Sequence, residues 1–389
     1  MTVTVLDGLV DTDLVLSNEQ KIDMSEEISM LDPDVSQFTT MLMKLGSQDA
    51  KSFKVNWLED QLRPRLSALA ASATSAATTI DVTADTGQYF RARDLVRIAS
   101  TGEMVLVTSI STDTLTVTRA IGGVAAATAA SGIDCLIVSN AAVQGATLGT
   151  RKITKKVLGY NYTQIQRDPF GFTETERNTD TYGGPPDKFE QVKKLVEHKR
   201  ALEQTLFFGA RSYTAASPNS WGTCGGAVEF ISSNIHNVAG ALSHSLLDSY
   251  LQQDLQHGSK NKVLFVSPLM QRAISGFLST AWNPTQVGDK KFGAFVDGYI
   301  PGAYPGGALP VVVKRDWNDF ASTNTGYGGW GFLIDMDYVK FRPLQNRNTA
   351  FLPNRQANDA DEKTDEYRTE FSFEFRNEAV HAIYKGTTG

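Results

Sequence analysis

The chain has 389 residues, a formal net charge of -6 and a sequence pI near 5.5. This length exceeds one simple core, so we expect two or three domains or a core with insertions. The acidic balance argues against a general nucleic-acid-coating protein, and the two cysteines, Cys135 and Cys224, exclude a disulfide framework. We expect neither a signal peptide nor a membrane-spanning segment, because the start is not basic and no run of about 18 apolar residues occurs.

The first fifty residues are typical of an arm with two helical pieces. Ser17 can cap the first helix, and Asp34 can cap a second that places Phe38 and Leu42 on one face. Gly46 is a natural stop for that helix.

Residues 51–65 begin a predicted ribbon, because Phe53, Val55 and Trp57 alternate with polar positions. At Leu66 the composition changes to Ala, Thr, Ser, Val and Gly, which continues to about Val143. Short strands separated by turn residues predict a small five-stranded barrel or sandwich inserted into the ribbon. The predicted strands are residues 79–82, 94–98, 103–109, 114–119 and 134–138.

The run from Gly145 to Gly209 is the most informative part of the sequence. Residues 151–165 are polar and β-rich without a long apolar run, which predicts an exposed ribbon whose partner is another copy of the chain. A long helix follows from an N-cap at Asp187 to the stop at Gly209. Its apolar stripe predicts one packed face, with the charged residues, Glu203 among them, on the remaining faces.

An α+β region follows the long helix. Ser243 and Pro268 begin two further predicted helices, and a glycine- and proline-rich loop spans residues 283–310. Residues 332–341 and 366–376 are predicted strands, the second with aromatic and charged positions in alternation.

Catalytic, cofactor and metal signatures are absent from the sequence. Residues 326–331 match a dinucleotide fingerprint, but a strand follows them where a helix is required, so a glycine-rich turn is favoured. The five histidines are scattered and predicted as surface or cap residues. We therefore predict no catalytic residue, no cofactor and no metal ligand.

Two charged groups are candidates for contact with other molecules. Arg151, Lys152, Lys155 and Lys156 lie on the predicted ribbon, where pairing with carboxylates of another subunit and simple solvation are equally compatible with the pattern. The acidic group around Asp359 to Glu366 could bind a divalent cation or basic partners, although a solvated loop is favoured. Together with three residues of the outgoing limb, the predicted intersubunit contacts are Trp57, Arg63, Arg65, Arg151, Lys152, Lys155, Lys156, Asp359, Asp361 and Glu362.

In this order of segments the chain resembles the major capsid proteins of tailed bacteriophages, which have the Hong Kong 97-type fold. The most specific segments are residues 31–33, 57–62, 161–165 and 198–203. The resemblance implies an N-terminal arm over 1–50, an extended loop over 51–182 with the β domain inserted at 66–143, and an axial domain over 225–330. The peripheral domain would comprise 183–224 and 331–389, with the spine helix at 187–208.

The function implied is self-assembly into an icosahedral shell of hexamers and pentamers that encloses phage double-stranded DNA, inside a bacterial host cytoplasm. The expected partners are other copies of the chain, with portal, scaffold and decoration proteins as further ones and DNA at the inner face only. A phage tail or adhesin-type binding protein is the alternative, suggested by the β-rich insert. A weaker third hypothesis is an enzyme with a carboxylate site around Asp359 to Glu366.

Overall fold

The computed structural model describes residues 37–147, 149–179, 186–278, 297–299, 308–319 and 327–388. The helix predicted after Ser17, the predicted Asp34 cap, most of the predicted loop at 283–310 and Gly326 of the glycine-rich turn lie outside the described residues. The chain divides into two compact units, Met1–Trp57 with Gly159–Gly389, and Leu58–Leu158.

Six α-helices occur among the described residues, and four short 3-10 turns accompany them. The helices are α1 Gln37–Leu45, α2 Glu174–Arg177, α3 Pro186–Phe208, α4 Ala227–Phe230, α5 His244–Asp254 and α6 Pro268–Leu278.

Twenty strands occur in the described part of the chain. They are β1 Lys54–Glu59, β2 Leu66–Ala68, β3 Thr79–Asp81, β4 Asp94–Ile98, β5 Met104–Ser111, β6 Thr114–Ile121, β7 Asp134–Asn140, β8 Val157–Tyr162, β9 Gln164–Thr173, β10 Ser212–Thr214, β11 Trp221–Thr223, β12 Ile235–Ala241, β13 Lys262–Val266, β14 Asp297–Tyr299, β15 Leu309–Val313, β16 Gly331–Asp335, β17 Val339–Pro343, β18 Ala350–Leu352, β19 Glu362–Phe375 and β20 Ala382–Thr388.

The second unit is a six-stranded antiparallel sheet in the order β2-β7-β4-β5-β6-β3. Alternate residues such as Val96, Val105 and Val117 point into one buried core, as period-two patterning requires. A bridge between Leu69 and Val82 joins the two edge strands, so the sheet closes as a small barrel with no free edge at that point. The sequence predicted five of the six strands and missed β2, which is only three residues long.

The first unit contains a six-stranded mixed sheet in the order β12-β20-β16-β13-β15-β14. Successive residues of β13 serve opposite faces, since Phe265 belongs to the core that includes α1 and α3, whereas Leu264 and Val266 belong to the core that includes α5 and α6. The sheet therefore carries helices on both faces. The side chain of Ser243 accepts a hydrogen bond from the Leu246 backbone and caps α5, as predicted.

The other large sheet of this unit is built around β19, the longest strand. β9 pairs with one edge of β19 over ten residues, while β17 and β18 pair with the other edge. The sequence predicted a single strand over 332–341, but a turn at residues 336–338 divides it into β16 and β17, which belong to different sheets.

Helix α3 is 23 residues long and spans about 34 Å. It begins at Pro186, one residue before the predicted N-cap, because proline is favoured in the first helical turn, where no partner exists for a backbone N–H. β1 and β8, which flank the second unit in sequence, pair in a two-stranded ribbon.

Candidate assembly surfaces

The C-terminal half of α3 is anchored by an aromatic core. Leu202, Leu206 and Phe207 are fully buried, and the Phe207 ring centroid lies 5.1 Å from that of Phe38 on α1 and 4.9 Å from that of Trp317. Aromatic pairs at these separations add to the free energy of burial. The predicted apolar stripe is therefore buried in this half of the helix, where it fixes α3 against α1 and the mixed sheet, whereas Val192 in the N-terminal half is 56% exposed.

Glu203 lies at the centre of this junction, not on a solvent face as the sequence predicted. Its carboxylate accepts hydrogen bonds from the backbone N–H groups of Phe38 and Thr39 at the start of α1, and lies 2.5 Å from Lys314 Nζ. Burial raises the pKa of the Glu203 carboxyl, while the Lys314 charge acts in the opposite direction. The ion pair and the N-terminal hydrogen bonds of α1 together compensate a charge that would otherwise be costly to bury.

His198 on α3 is also buried, although a surface or capping position was predicted. Its Nδ1 lies 2.5 Å from Asp168 Oδ2 on β9, and its Nε2 lies 2.6 Å from Thr369 Oγ1 on β19. Burial lowers the pKa of His198 despite the neighbouring Asp168 carboxylate. An acid, imidazole and hydroxyl in line resemble a nucleophile triad, but Thr369 is fully buried, so the array ties α3 to the sheet and offers no access to a substrate.

β9 corrects the predicted exposed ribbon. The sequence predicted that residues 151–165 pair with another copy. Within this range β8 pairs with β1, and Gln164 and Ile165 begin β9, which pairs with β19 of its own chain from Gln164 opposite Phe371 to Thr173 opposite Glu362. The expectation of a partner in a second copy is therefore wrong for residues 157–162 and 164–165, whereas residues 151–156 have no strand partner among the described residues.

Three glutamates of β19 are buried and paired within the chain. Glu366, Glu370 and Glu374 are 2%, 7% and 1% exposed, and each faces arginines from neighbouring segments. The pairs are Glu366 with Arg167 and Arg355, Glu370 with Arg347, and Glu374 with Arg342 and Arg376. Burial acts to raise the pKa of the Glu366 carboxyl, but the hydrogen bonds and charges of Arg167 and Arg355 outweigh it and lower that pKa.

The predicted acidic group consequently separates into two parts. Asp365 and Glu366 are buried, whereas Asp359, Asp361 and Glu362 are exposed and make no ion pair within the described part of the chain. No group of three or more metal-binding side chains occurs among the described residues. Only the three exposed carboxylates remain available to a partner.

The predicted basic group is exposed in the second unit. Arg151, Lys152, Lys155 and Lys156 lie in a stretch without regular structure, and none forms an ion pair with a described residue. Ile153, in the middle of this stretch, is 94% exposed. Val157 and Leu158, a few residues further along, are also exposed, and grouped exposed apolar side chains are typical of an interface.

The outgoing limb contains the other predicted contact residues. Leu62 is 92% exposed, Arg65 is exposed and Arg63 is half-buried. Trp57 differs from them, since its side chain is 6% exposed and packs against Phe230 at a centroid distance of 5.7 Å. A Cβ on Gly159 would lie 2.4 Å from the Trp57 indole nitrogen, so glycine is required there. Trp57 therefore packs within its own chain.

Three further observations bear on other possible functions. The strand predicted after the glycine-rich turn is β16, which directly follows Trp330, so the helix that a dinucleotide site needs does not follow that motif. Cys135 and Cys224 are both free and buried, and burial raises their pKa values to about 11 and about 12. No described helix is both long enough and apolar enough to cross a membrane.

Sequence reasoning missed the buried charges because it assigned polar residues to solvent by default. The one available signal was spacing, since Glu203 precedes Leu206 and Phe207 by three and four residues and so shares their helix face. Nothing in the sequence shows that Lys314 or Asp168 completes these sites, because each lies on a distant segment.

Comparison with solved structures identifies the class. The chain is similar to a structure of Mycobacterium phage Cain, with a TM-score of 0.50, 10% identity and coverage of 98% of both chains. It is also similar to the capsid of an empty GTA particle, with a TM-score of 0.50, 10% identity and coverage of 98% of this chain and 100% of the other. A structure of Mycobacterium phage Bobi matches with a TM-score of 0.50, 8% identity and coverage of 97% and 99%. The fold is the α+β, Hong Kong 97-like fold of capsid proteins, as predicted.

A family model supplies the particular assignment. Residues 9–388 match the model of the SU10 major capsid protein, and the chain belongs to this family. It is a bacteriophage major capsid protein that forms a capsid shell from copies of itself, and its place is the virion capsid. Among curated proteins, no sequence matches the chain significantly. The phage tail or adhesin alternative is not supported, and the family indicates a structural role in place of an enzymatic one.

Proposed function

We propose that the chain builds an icosahedral shell of hexamers and pentamers around packaged double-stranded DNA, and that residues 58–66 and 143–158 form contacts between copies. The proposed contacts between copies rest on residues 151–156. The four cations of this stretch have no ion pair within the described chain, and Ile153 is 94% exposed. A neighbour that covers the apolar side chain and brings carboxylates opposite the cations supplies both apolar burial and charge complementarity.

The proposed segments are the ones that the family resemblance implies. Residues 1–50 act as the arm, 51–182 as the extended loop with its insert at 66–143, 225–330 as the axial domain, and 183–224 with 331–389 as the peripheral domain. The closed barrel formed by β2 to β7 supports an autonomous insert, since it has its own core. Arg63, Arg65, Asp359, Asp361 and Glu362 join the basic stretch as contact residues.

The shell needs no catalytic step from this chain. The Asp168, His198 and Thr369 array has a fully buried hydroxyl, which supports a structural role for it. Further partners are portal, scaffold and decoration proteins, with DNA at the inner face only, and assembly takes place in the bacterial host cytoplasm. The chain has a net charge of -6, which gives it no general attraction for the phosphate backbone of DNA. We therefore propose no sequence-specific DNA contact.

The test is expression of the full chain followed by size-exclusion chromatography and cryo-electron microscopy. We expect closed particles whose reconstruction has icosahedral symmetry with five- and six-fold capsomers. Monomers or slender trimers at all salt and pH conditions tried, in the presence of other phage head proteins as well as alone, would contradict the proposal.

A matched pair of variants tests the contact residues. Lys155→Gln with Lys156→Gln removes two positive charges that have no partner in the described chain, and Lys193→Gln with Lys194→Gln removes two that pair with Glu190 and Glu197 on the same helix. We expect the first pair to reduce particle yield and the second to leave it near the unmodified level.

A further inference from the structure

An exposed aromatic patch in the first unit has no role in the fold described above. It consists of Phe53, Tyr160, Tyr162 and Tyr213, with Lys54 and Arg211 beside the rings. The ring centroids of Phe53, Tyr162 and Tyr213 lie 5.1 to 6.2 Å apart. Phe53 is 50% exposed and Tyr213 is 39% exposed, so the rings stack on one another and still face solvent.

The patch is rigidly constructed. Thr163 donates a backbone hydrogen bond of 2.8 Å to the Phe53 carbonyl, and Tyr213 is held by the β10 and β11 hairpin, opposite Gly222. A Cβ on Gly222 would lie 3.0 Å from the Thr163 carbonyl oxygen, so glycine lets the hairpin approach the patch closely. Pre-ordered aromatic side chains lose little conformational entropy on binding, which is why Tyr and Arg dominate the energetic centres of interfaces.

The patch is positively charged at its margin. Lys54 Nζ lies 4.1 Å and Arg211 Cζ 4.2 Å from the Tyr160 ring centroid. Arg211 lies 3.6 Å from Glu229, whereas Lys54 forms no ion pair within the described part of the chain. Its complement is therefore an apolar segment that also carries a carboxylate.

The chain itself exposes such a segment. Residues 58–62, Leu-Glu-Asp-Gln-Leu, place Leu58 at 63% and Leu62 at 92% exposure, and the exposed Asp60 between them forms no ion pair with a described residue. A second exposed apolar stretch, around Ile153, is flanked by four cations and would be repelled by Lys54.

We infer that the aromatic patch of one copy binds residues 58–62 of a second copy, with Leu62 on the rings of Phe53 and Tyr213 and Asp60 paired with Lys54. This rests on the proposed function, and it identifies one of the subunit contacts of the shell. The rings supply the apolar area, and the Lys54 to Asp60 pair fixes the register of the two segments.

Cross-linking between chains that each carry one introduced cysteine tests the contact. One tagged chain carries Tyr213→Cys, a second carries Leu62→Cys, and the two are co-expressed, so that any mixed cross-link joins different copies. Cys135 and Cys224 contribute little background because both are buried and their pKa values are raised to about 11 and about 12. The expected result is a mixed product that joins position 213 of one chain to position 62 of the other in purified particles, identified by peptide mass spectrometry after treatment with a short bismaleimide.

The matched control replaces Leu62→Cys by Ile153→Cys, an equally exposed position with basic neighbours. A link from position 213 to 153 equal to or stronger than that to 62 would overturn the inference, as would intact particles with no link to 62. Failure of the unmodified chain to form particles would instead count against the proposed function.

Charge exchange supplies a second readout. Lys54→Glu and Asp60→Lys should each reduce particle yield severalfold, and the double variant should recover most of it, because the exchanged pair restores the attraction. A double variant no better than the worse single variant would contradict the Lys54 to Asp60 pair.

Discussion

Residues 151–156 and β9 lie close together in the chain, but their surroundings in the fold differ. β9 pairs along ten residues with β19, and its Arg167 pairs with Glu366. The basic stretch at 151–156 has no strand partner among the described residues and no ion pair there. The difference shows that charged side chains form ion pairs where elements of the subunit pack together. On our proposal, the unpaired ones lie where copies of the chain meet.

The largest expected effect is in the packed region. Phe207→Ala should lower the free energy of unfolding of the first unit by about 4 kcal/mol, because it opens a cavity in a core where the side chain is fully buried. Denaturant unfolding followed by tryptophan fluorescence measures it, since Trp317 contacts Phe207. Val192→Ala on the same helix, 56% exposed, is the control and should change stability by under about 0.5 kcal/mol. An equal loss of stability in the two variants would contradict the distinction between the packed and the exposed face of α3.

The second largest effect concerns a buried charge compared with an exposed one on the same helix. Glu203→Gln should cost about 3 kcal/mol, since it leaves Lys314 buried with its nearest carboxylate partner lost. Glu197→Gln removes an exposed carboxylate paired with Lys194 and should cost under about 1 kcal/mol. Hydrogen exchange of the α1 amides gives a local measurement, because Phe38 and Thr39 donate to Glu203. Unchanged protection of α1 in Glu203→Gln would contradict the assigned role.

A pH series tests a buried histidine of the packed region. Burial lowers the pKa of His381 to about 3, so the unfolded chain takes up a proton near pH 6.5 and the folded chain does not. The free energy of unfolding should therefore fall as pH is lowered from about 6.5 towards 3, by on the order of 1 kcal/mol per pH unit from this residue. His381→Asn should reduce that slope and His257→Gln, at an exposed position, should not. Identical slopes in all three proteins would show that His381 is not the source.

The smallest expected change in stability is in the free stretch. Lys155→Gln with Lys156→Gln should alter the free energy of unfolding of the isolated subunit by under about 0.5 kcal/mol, because neither side chain has an ion-pair partner in the described chain. Particle yield should nevertheless fall. A loss of subunit stability larger than that of Glu197→Gln would show that these residues are used within the chain.

Much of the local structure followed from sequence, for identifiable reasons. The helix at Pro268–Leu278, the Ser243 cap and the strands of the inserted barrel depend on short-range spacing and turn residues, which the sequence displays directly. The division of residues 332–341 into β16 and β17 was missed because only a three-residue turn separates the two strands. Strand pairing partners were also missed, because β9 meets β19 across a long stretch of intervening chain.

The candidate surface was predictable in part. The exposure of Arg151, Lys152, Lys155 and Lys156 followed from a polar stretch with no apolar period. The burial of Trp57 did not follow, because it depends on Gly159 and Phe230 coming against the ring.

By itself, the sequence determined the long helix and the separate β insert, since periodicity and composition are local properties of the chain, and its resemblance to a known family indicated the fold. Only the tertiary structure decided which charges are paired. Glu203, Glu366 and Glu374 are buried against cations from distant segments, and a charge is retained in a core only where such a partner arrives. Which polar residues are left for a neighbouring copy is therefore a property of the folded subunit.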